Sequence, residues 1–372
     1  MTKILILTAG FGEGHNAAAR ALAAALDRAR GPGTAVVADP FALAAPRLNA
    51  LTRRGYLTLI NRAPQLWSRV YQWLDRSRIV ERQLWFFARE TRVLRDLLAR
   101  ERPAVVCCTF PVCTFLLEHL AAHGGPALPR FNLVTDSISI HSLWWRASCD
   151  GWFLPNHDSA AVLLRAGLDP ARVHVAGFPV PDIFATQAGR LAPPDLAAGA
   201  APRVLQIINS GKRHAVATAR RLLAEDDWEV TCAVGRDEGL RRHLTALAAG
   251  RRRPATILGW TQEVPRLLMT HHAVVSKAGG ATTQEAINAL CPMVVSQIVP
   301  GQEEGNYELL RRHRAGALAT TPDAVIATLR AAFADGGRGW REWRAALGPL
   351  AHPAAADDIA RHLLARAALP PA

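Results

Sequence analysis

The chain opens with Ile4-Leu-Ile-Leu-Thr-Ala-Gly10-Phe-Gly12-Glu-Gly14-His15-Asn-Ala-Ala-Ala. A short apolar run that leads into glycines at alternate positions and then into a helical pattern predicts a strand, a tight loop and a helix. Such a loop lets the backbone approach a ligand closely and aims the N–H groups of the helix at it. The glycine spacing differs from the GxGxxG dinucleotide fingerprint. The pattern predicts an α/β layer with His15 at the carboxyl edge of its sheet.

Short apolar runs of this kind alternate with helical patterns along most of the chain. They lie at 4–8, 35–38, 104–107, 131–134, 151–154, 173–176, 204–208, 229–234, 256–258, 273–276, 293–296 and 317–319. A stretch rich in Pro, Ala and Gly at 186–202 interrupts the alternation and is the best linker candidate. We predict two doubly wound α/β domains at 1–185 and 203–350 with a ligand cleft between them, and a helix in 351–372 that could pack back on the first domain.

The composition is that of a globular protein: of 372 residues, 50% are hydrophobic and 20% are charged. No apolar run reaches the roughly 18 residues of a membrane span, and the start lacks the cleavage pattern of a signal peptide. The six cysteines show neither a CxxC pair nor metal-ligand spacing, which favours buried thiols in a reducing cytoplasm.

The formal net charge is +13, and nearly all of it is Arg, since Lys occurs only at positions 3, 212 and 277. Codon bias explains part of such a composition. The physical interpretations are attraction to nucleic acid, to anionic lipid or to phosphorylated substrates.

The segment 46–102 breaks the alternation, because it shows only helical patterns. It contains thirteen Arg against five acidic residues, and its Arg residues are interleaved with aromatic ones. That mixture suits a membrane interface, where rings lie among headgroups and Arg reaches phosphates. The aromatic side chains that we expect at this interface are Trp67, Trp73, Trp85 and Phe86. The alternatives are ordinary helices with solvated Arg, or a non-catalytic nucleic-acid-binding surface, although no DNA or RNA recognition motif is visible.

Two further clusters follow predicted strands. Asp136, in Val134-Thr135-Asp136, precedes His141 and two tryptophans, so its carboxylate is expected at the same sheet edge as His15. It could assist a base or merely cap a turn. In Ser276-Lys277-Ala-Gly279-Gly280-Ala-Thr282-Thr-Gln-Glu285, a strand ends, two glycines turn and a helix begins with its positive end free for a diphosphate.

The cluster at 276–285 also has an explanation that involves no ligand, and a second polar loop follows the next strand. Thr282 and Glu285 have the T-x-x-E spacing of a capping box, which needs no ligand. A polar loop after the next strand, with Gln302, Glu303 and Asn306, offers groups that bind hydroxyls at the same edge.

These motifs together resemble the monogalactosyldiacylglycerol synthase and processive diacylglycerol glucosyltransferase family. The resemblance runs from GFGEGHNAAARAL through VTD…H..W and AGFPV to SKAGGATTQEAI and PGQEEGN, and so covers most of the chain. The sequence is also similar, more distantly, to the peptidoglycan enzyme that adds N-acetylglucosamine to its lipid carrier. The family implies a GT-B fold, a UDP-sugar donor, a diacylglycerol acceptor at the inner face of the cell membrane, and inversion at the anomeric carbon.

The resemblance also implies roles for single residues. His15 would deprotonate the lipid hydroxyl with support from Asp136, and Glu285 would bind the ribose. The other residues implied by the resemblance would contact either the diphosphate and sugar of the donor or the lipid acceptor. They are Gly279, Gly280, Thr282, Gln302, Glu303 and Asn306 for the donor, and Gly12, Gly14 and His141 for the acceptor.

Elementary chemistry agrees with these roles. An inverting transfer needs one base near neutral pKa, which His supplies. A helix N-terminus stabilises the leaving UDP, and the chain lacks a DxD triplet, so no metal or other cofactor is expected. A UDP-sugar epimerase of similar build is the enzymatic alternative, and the sequence leaves the oligomeric state open.

One loop departs from the family, which usually has a glycine-rich turn after the first strand of the second domain. This chain has Asn209-Ser-Gly211-Lys212-Arg213 instead. We expect Lys212 or Arg213 to reach the donor diphosphate in place of backbone N–H groups.

Overall fold

The computed structural model describes residues 2–10, 12–208, 214–301 and 303–369. The chain divides into two compact units, Met1–Asp182 with His352–Ala372, and Ile183–Ala351. Each unit contains one six-stranded parallel sheet with helices, in the orders β2-β1-β3-β4-β5-β6 and β12-β11-β10-β7-β8-β9, with the strand bounds given below. The predicted fold class is confirmed.

The sheet of the first unit consists of β1 (Ile4–Leu7), β2 (Ala35–Ala38), β3 (Val105–Cys108), β4 (Arg130–Leu133), β5 (Gly151–Leu154) and β6 (Val173–Val175). Its helices are α1 (Glu13–Arg30), α2 (Pro40–Ala44), α3 (Pro46–Arg62), α4 (Pro64–Arg76), α5 (Ile79–Arg82), α6 (Ala88–Glu101), α7 (Val112–Ala122), α8 (Leu143–Arg146), α9 (His157–Arg165) and, from the end of the chain, α17 (Ala355–Ala367).

The sheet of the second unit consists of β7 (Arg203–Ile207), β8 (Glu229–Ala233), β9 (Thr256–Leu258), β10 (Ala273–Lys277), β11 (Met293–Gln297) and β12 (Gly316–Leu318). Its helices are α10 (Ile183–Thr186), α11 (Ala215–Leu223), α12 (Glu238–Ala248), α13 (Val264–Thr270), α14 (Gly280–Asn288), α15 (Glu304–Arg312) and α16 (Pro322–Leu347), the last interrupted by non-helical backbone at Ala334, Asp335, Gly336 and Gly337.

The central strands are mostly apolar because helices cover both faces of a parallel sheet. All four residues of β1 and of β3 are buried, and Leu5, Leu7 and Val106 belong to one apolar cluster with residues of α6 and α7. In the second unit, Val204, Val230 and Val275 from β7, β8 and β10 pack with residues of α11 and α16. The apolar runs in the sequence therefore lie where the two cores form.

The C-terminal helix belongs to the first unit, where α17 packs against α1. The segment that leads into α17 passes close to Gly177, a residue of the first unit whose φ is +83°. A Cβ at Gly177 would lie 2.7 Å from the Cβ of His352 and 2.8 Å from that of Ala355. Glycine is needed here both for the left-handed backbone and for the close approach of the C-terminal segment.

Candidate functional site

The polar residues of the first unit follow three neighbouring strands at the point where each strand ends. His15 comes after β1, Thr109 directly follows β3, and Thr135 and Asp136 come after β4. These strands are adjacent in the sheet, in the order β1-β3-β4. Because the carboxyl ends of parallel strands lie at one edge, the sheet brings these side chains together.

His15 is the third residue of α1, and its ring is held through Nδ1. That nitrogen lies 2.6 Å from the backbone oxygen of Thr109 and 2.9 Å from Oγ1 of Thr135. A carbonyl oxygen only accepts hydrogen bonds, so the neutral ring carries its proton on Nδ1 and donates it to Thr109. Nε2 therefore keeps its lone pair, which is the form that a general base requires.

Space beside this lone pair depends on Gly12, the residue that precedes α1. A Cβ at Gly12 would lie 3.5 Å from Cδ2 and 4.0 Å from Nε2 of His15. A longer side chain at this position would crowd the edge of the ring that carries the free nitrogen. Gly14 lies in the first turn of α1 and is half-buried.

The pKa of His15 differs from the near-neutral value that the sequence argument assumed. Burial lowers this pKa to about 4, although the hydrogen bond to the Thr109 carbonyl acts in the opposite direction. The cause is desolvation, which disfavours the charged imidazolium. At neutral pH the ring is uncharged and able to accept a proton, but the imidazolium that it forms needs a nearby negative charge.

Asp136 has such a charge. Burial raises the pKa of its carboxyl to about 6, and the hydrogen bond from Nε1 of Trp144, at 2.8 Å, partly offsets that rise. The centroids of the Trp144 and His15 rings are 6.2 Å apart. Among the described residues, Asp136 is hydrogen-bonded to Trp144 rather than to His15, so the indole is a neighbour of both the base and the carboxylate.

Three contributors to this site had no assigned role in the sequence analysis: Thr109, Phe110 and Trp144. Phe110 packs edge-on against His15, with ring centroids 5.3 Å apart. Thr109 acts through its backbone oxygen, which no residue pattern reveals. The available signal was position, since Thr109 and Phe110 directly follow a buried apolar strand next to β1.

His141 lies on the loop after β4 and contacts helix α4. Its Nδ1 is 3.3 Å from Oδ1 of Asp75, and its ring packs edge-on against Tyr71 with centroids 4.9 Å apart. Asp75 also accepts a hydrogen bond from the backbone N–H of Ser142 at 2.7 Å. Burial lowers the pKa of His141. These contacts attach α4 to the loop that carries Asp136.

The segment 46–102 forms α3, α4, α5, a 3-10 turn at Leu84–Phe87 and α6. Trp73, Trp85 and Phe86 are 56%, 65% and 62% exposed, and the rings of Trp85 and Phe86 are stacked. Trp67 is half-buried and packs against Tyr71. One face of α4 borders a cleft of about 420 Å³, lined by Arg69, Gln72, Trp73, Arg76 and Ser77.

In the second unit, α14 begins directly after two glycines. Gly279 is the N-cap and makes no side-chain cap hydrogen bond, and Gly280 is the first helical residue. The capping-box explanation is wrong, because Thr282 is already inside the helix and Glu285 lies in its second turn. Within the described residues, the first N–H groups of α14 thus have no cap from the side chain of the N-cap residue.

Glu303 is buried and forms an ion pair with Lys277 through Oε1. Its other oxygen accepts a hydrogen bond from the backbone N–H of Val299 at 3.0 Å. Both carboxylate oxygens of this predicted sugar ligand already have a protein donor. Lys277 lies at the end of β10, and the sequence analysis assigned it no role.

Asn306, on α15, donates through Nδ2 to the backbone oxygen of Ala278 at 2.9 Å. Its Oδ1 is buried and has no hydrogen-bond partner in the described part of the chain. Gln302, Lys212 and Arg213, which the sequence analysis assigned to the donor, lie outside the described residues.

Two kinds of feature are absent from the described residues. No group of three or more His, Cys, Asp or Glu side chains could hold a metal ion within these residues. Over the same residues, no helix combines the length and apolar character that crossing a bilayer demands.

The fold resembles solved structures of two kinds. The glycosyltransferase SnogD from Streptomyces nogalater superposes with a TM-score of 0.57 at 15% identity, covering 99% of this chain and all of that one. The UDP-GlcNAc 2-epimerase from Neisseria meningitidis, bound to UDP-GlcNAc, gives a TM-score of 0.59 at 12% identity, covering 98% and 100%. The two sheets therefore define a protein of the GT-B fold class.

Sequence relatives narrow this class. The family model for monogalactosyldiacylglycerol (MGDG) synthase matches residues 15–180. The processive diacylglycerol beta-glucosyltransferase of Bacillus cereus (strain AH187) is 23% identical over 367 residues, which cover 98% of this chain and 93% of that protein. The chain is thus similar to MGDG synthases over residues 15–180 and to diacylglycerol glycosyltransferases over nearly its whole length.

Proposed function

We propose that this protein is an inverting glycosyltransferase that moves a hexose from a UDP-sugar to the hydroxyl of a lipid, with diacylglycerol as the acceptor. The observation that carries the proposal is His15, whose Nδ1 is bonded to Thr109 and Thr135 so that Nε2 is the free basic nitrogen. Similarity to the relatives supplies the substrate class, since they are named for diacylglycerol and glucosyl transfer.

In this proposal, Nε2 of His15 takes the proton of the lipid hydroxyl as its oxygen attacks the anomeric carbon. Because burial lowers the pKa of His15 to about 4, the imidazolium needs compensation. The Asp136 carboxylate provides it in a low-dielectric surrounding, and Trp144 fixes the position of that carboxylate. Asp136 is thus a positioning and charge-compensating group.

The second unit would bind the UDP-sugar. The N-terminus of α14, with Gly279 and Gly280, faces the diphosphate, and Thr282 lies in the same first turn. Glu285 binds the ribose, while Gln302, Glu303 and Asn306 contact the sugar. The charge of the leaving UDP is stabilised without a metal ion, so activity is expected to persist in EDTA.

Docking on the membrane is assigned to 46–102, at the cytoplasmic face of the cell membrane. Trp73 lines a cleft together with Arg69 and Arg76, and the exposed rings of Trp85 and Phe86 belong to the same Arg-rich segment, which suits an anionic lipid surface.

The test is transfer of labelled hexose from UDP-glucose or UDP-galactose to diacylglycerol in vesicles, with the anomeric configuration of the product determined by NMR. A β-linked glycolipid from an α-linked donor supports the proposal. Turnover of the UDP-sugar without lipid, giving an epimeric UDP-sugar, would instead identify the epimerase alternative. Absence of either reaction with both donors contradicts the assignment.

A further inference from the structure

Lys277 occupies a special position at the end of a strand. The register of β10 against β11 shifts between Ser276 and Lys277, so that Lys277 pairs with Gln297. Such irregularities re-aim side chains at the ends of strands. Lys277 stands two residues before the N-cap of α14, on the turn that leads into this helix.

The ammonium group of Lys277 is held by a buried carboxylate. Nζ is paired with Oε1 of Glu303, and Oε2 of Glu303 is anchored by the backbone N–H of Val299 at 3.0 Å. The side chains of Glu303 and Lys277 are 8% and 20% exposed. An ammonium has three N–H donors, and the contacts within the described residues use one of them. Two donors therefore remain for a ligand.

This ammonium lies against the start of α14. A Cβ at Gly279 would be 3.3 Å from Nζ of Lys277 and 3.7 Å from Oε1 of Glu303. The positive end of the helix and a fixed cation are thus side by side. Asn306, 3% exposed and bonded to Ala278 of the same turn, adds a buried oxygen without a partner in the described chain. These features together indicate a ligand with both anionic and hydroxyl or N–H groups.

We propose that Lys277 contacts the diphosphate of the donor, and that Glu303 positions Lys277. This inference rests on the proposed function. The residue type supports the inference, because only three of the 44 Lys and Arg residues are Lys. The ammonium group of Lys is compact and fits beside Gly279, whereas the planar guanidinium group of Arg is larger. The required positive charge thus comes from the end of β10, whether or not Lys212 and Arg213 contribute.

The role follows from the electron balance of the transfer. The lipid oxygen forms a bond to the anomeric carbon, and the bond between that carbon and the phosphate oxygen breaks. Its electron pair stays on the β-phosphate of UDP, while the hydroxyl proton goes to Nε2 of His15. Negative charge therefore grows on the phosphate, where the Lys277 ammonium strengthens its interaction in the transition state.

The test is calorimetric titration of UDP and uridine into wild type and Lys277→Met, with Lys3→Met as the matched control. Lys3 also forms an ion pair with a glutamate, Glu101, but lies in the first unit. Lys277→Met should bind UDP at least tenfold more weakly and uridine within twofold of wild type, with Lys3→Met unchanged. Because Lys277→Met leaves a buried carboxylate unpaired, Lys277→Met/Glu303→Gln repeats the measurement if the single variant does not fold.

The outcomes separate the two claims. Wild type that binds no UDP overturns the proposed function and this inference with it. If wild type binds UDP and the folded Lys277 variants bind it with an affinity within twofold of wild type, the Lys277 inference alone is overturned. Equal loss of affinity for UDP and for uridine in these variants overturns it as well. Glu303→Gln should weaken the binding of UDP itself as well as that of the UDP-sugar; if it weakens only the UDP-sugar, Glu303 acts on the sugar alone and its positioning role fails.

Discussion

The Nδ1 atom of His15 donates its proton to the backbone oxygen of Thr109 at a distance of 2.6 Å. His15 lies in the first turn of α1 and Thr109 directly follows β3, so the contact exists only because β1 and β3 are neighbours in the sheet. A carbonyl partner fixes one tautomer and leaves Nε2 basic. The contact links the parallel sheet order directly to the proposed chemistry.

Removing this base should abolish most of the turnover and spare donor binding. For His15→Ala we expect kcat to fall by roughly a hundredfold or more, the usual contribution of a general base. UDP affinity should stay within about twofold, because the donor residues lie on other loops. Steady-state kinetics and calorimetry check both parts. His123→Ala, at an exposed histidine, is the control, and a His15 variant that retains more than a third of kcat contradicts the assignment.

The pH dependence of kcat should report Asp136. The pKa of this carboxyl is raised to about 6, so the carboxylate is present above pH 6 and is lost as the pH falls through 6. His15, with a pKa of about 4, stays neutral over that range. We expect kcat to fall below about pH 6 in wild type. In Asp136→Asn this limb should vanish, leaving a lower kcat that declines only toward pH 4. An unchanged limb would show that another group controls it.

Trp144 should set where that limb lies. Its indole N–H, 2.8 Å from Oδ2 of Asp136, favours the carboxylate and so lowers the pKa of Asp136 against the effect of burial. Trp144→Phe keeps a ring but removes the donor, so the acid limb of kcat should move above pH 6. Trp152→Phe is the matched control, because its indole N–H donates to the backbone oxygen of Trp144 instead. Equal movement of the limb in both variants would indicate a general loosening of the site.

The fold was predictable because its signal is local. Each of the twelve apolar runs lies within one residue of an observed strand at both ends, since strands that are buried on both faces are mostly apolar. The convergence of His15 and Asp136 at one edge followed from their positions after strands. No such periodicity exists for the backbone oxygen of Thr109 or for the indole of Trp144, which act through tertiary contacts.

The errors have physical causes too. The T-x-x-E spacing at Thr282 suggested a capping box, but the N-cap of α14 is Gly279, three residues earlier, and it makes no side-chain cap hydrogen bond. The near-neutral pKa assumed for His15 neglected burial, which a sequence does not report. The pairing of Lys277 with Glu303 joins the end of β10 to the N-cap of α15, and only the adjacency of β10 and β11 brings them together.

Glu285 can now be tested without the capping ambiguity. It lies in the second turn of α14, so Glu285→Gln should leave the melting temperature nearly unchanged. As a ribose ligand it would lose a charge-assisted hydrogen bond of about 1.5–3 kcal/mol, which weakens uridine and UDP roughly ten- to a hundredfold. Glu238→Gln, an exposed glutamate in the first turn of α12, is the control. A variant that melts lower but binds uridine normally would contradict the ligand role.

Membrane docking through α4 should depend on both charge and an exposed ring. Arg69 and Arg76 line the cleft of about 420 Å³ beside Trp73, which is 56% exposed. A basic residue near an anionic surface contributes about 1 kcal/mol, so Arg69→Gln/Arg76→Gln should weaken binding to anionic vesicles roughly thirtyfold. Added salt should also weaken the binding of wild type to anionic vesicles, because it screens exposed charges.

Vesicle sedimentation with and without phosphatidylglycerol measures this, together with UDP titration to verify an intact donor site. The double variant Arg165→Gln/Arg190→Gln removes the same charge from two exposed positions outside 46–102 and should bind vesicles nearly as wild type does. Trp73→Ala should lower the fraction that remains bound at high salt, since that fraction depends on apolar contact. Equal binding of wild type to neutral and anionic vesicles would contradict the electrostatic part. Equal weakening in the two double variants would show that net charge alone, without a docking face on α4, brings the protein to the membrane.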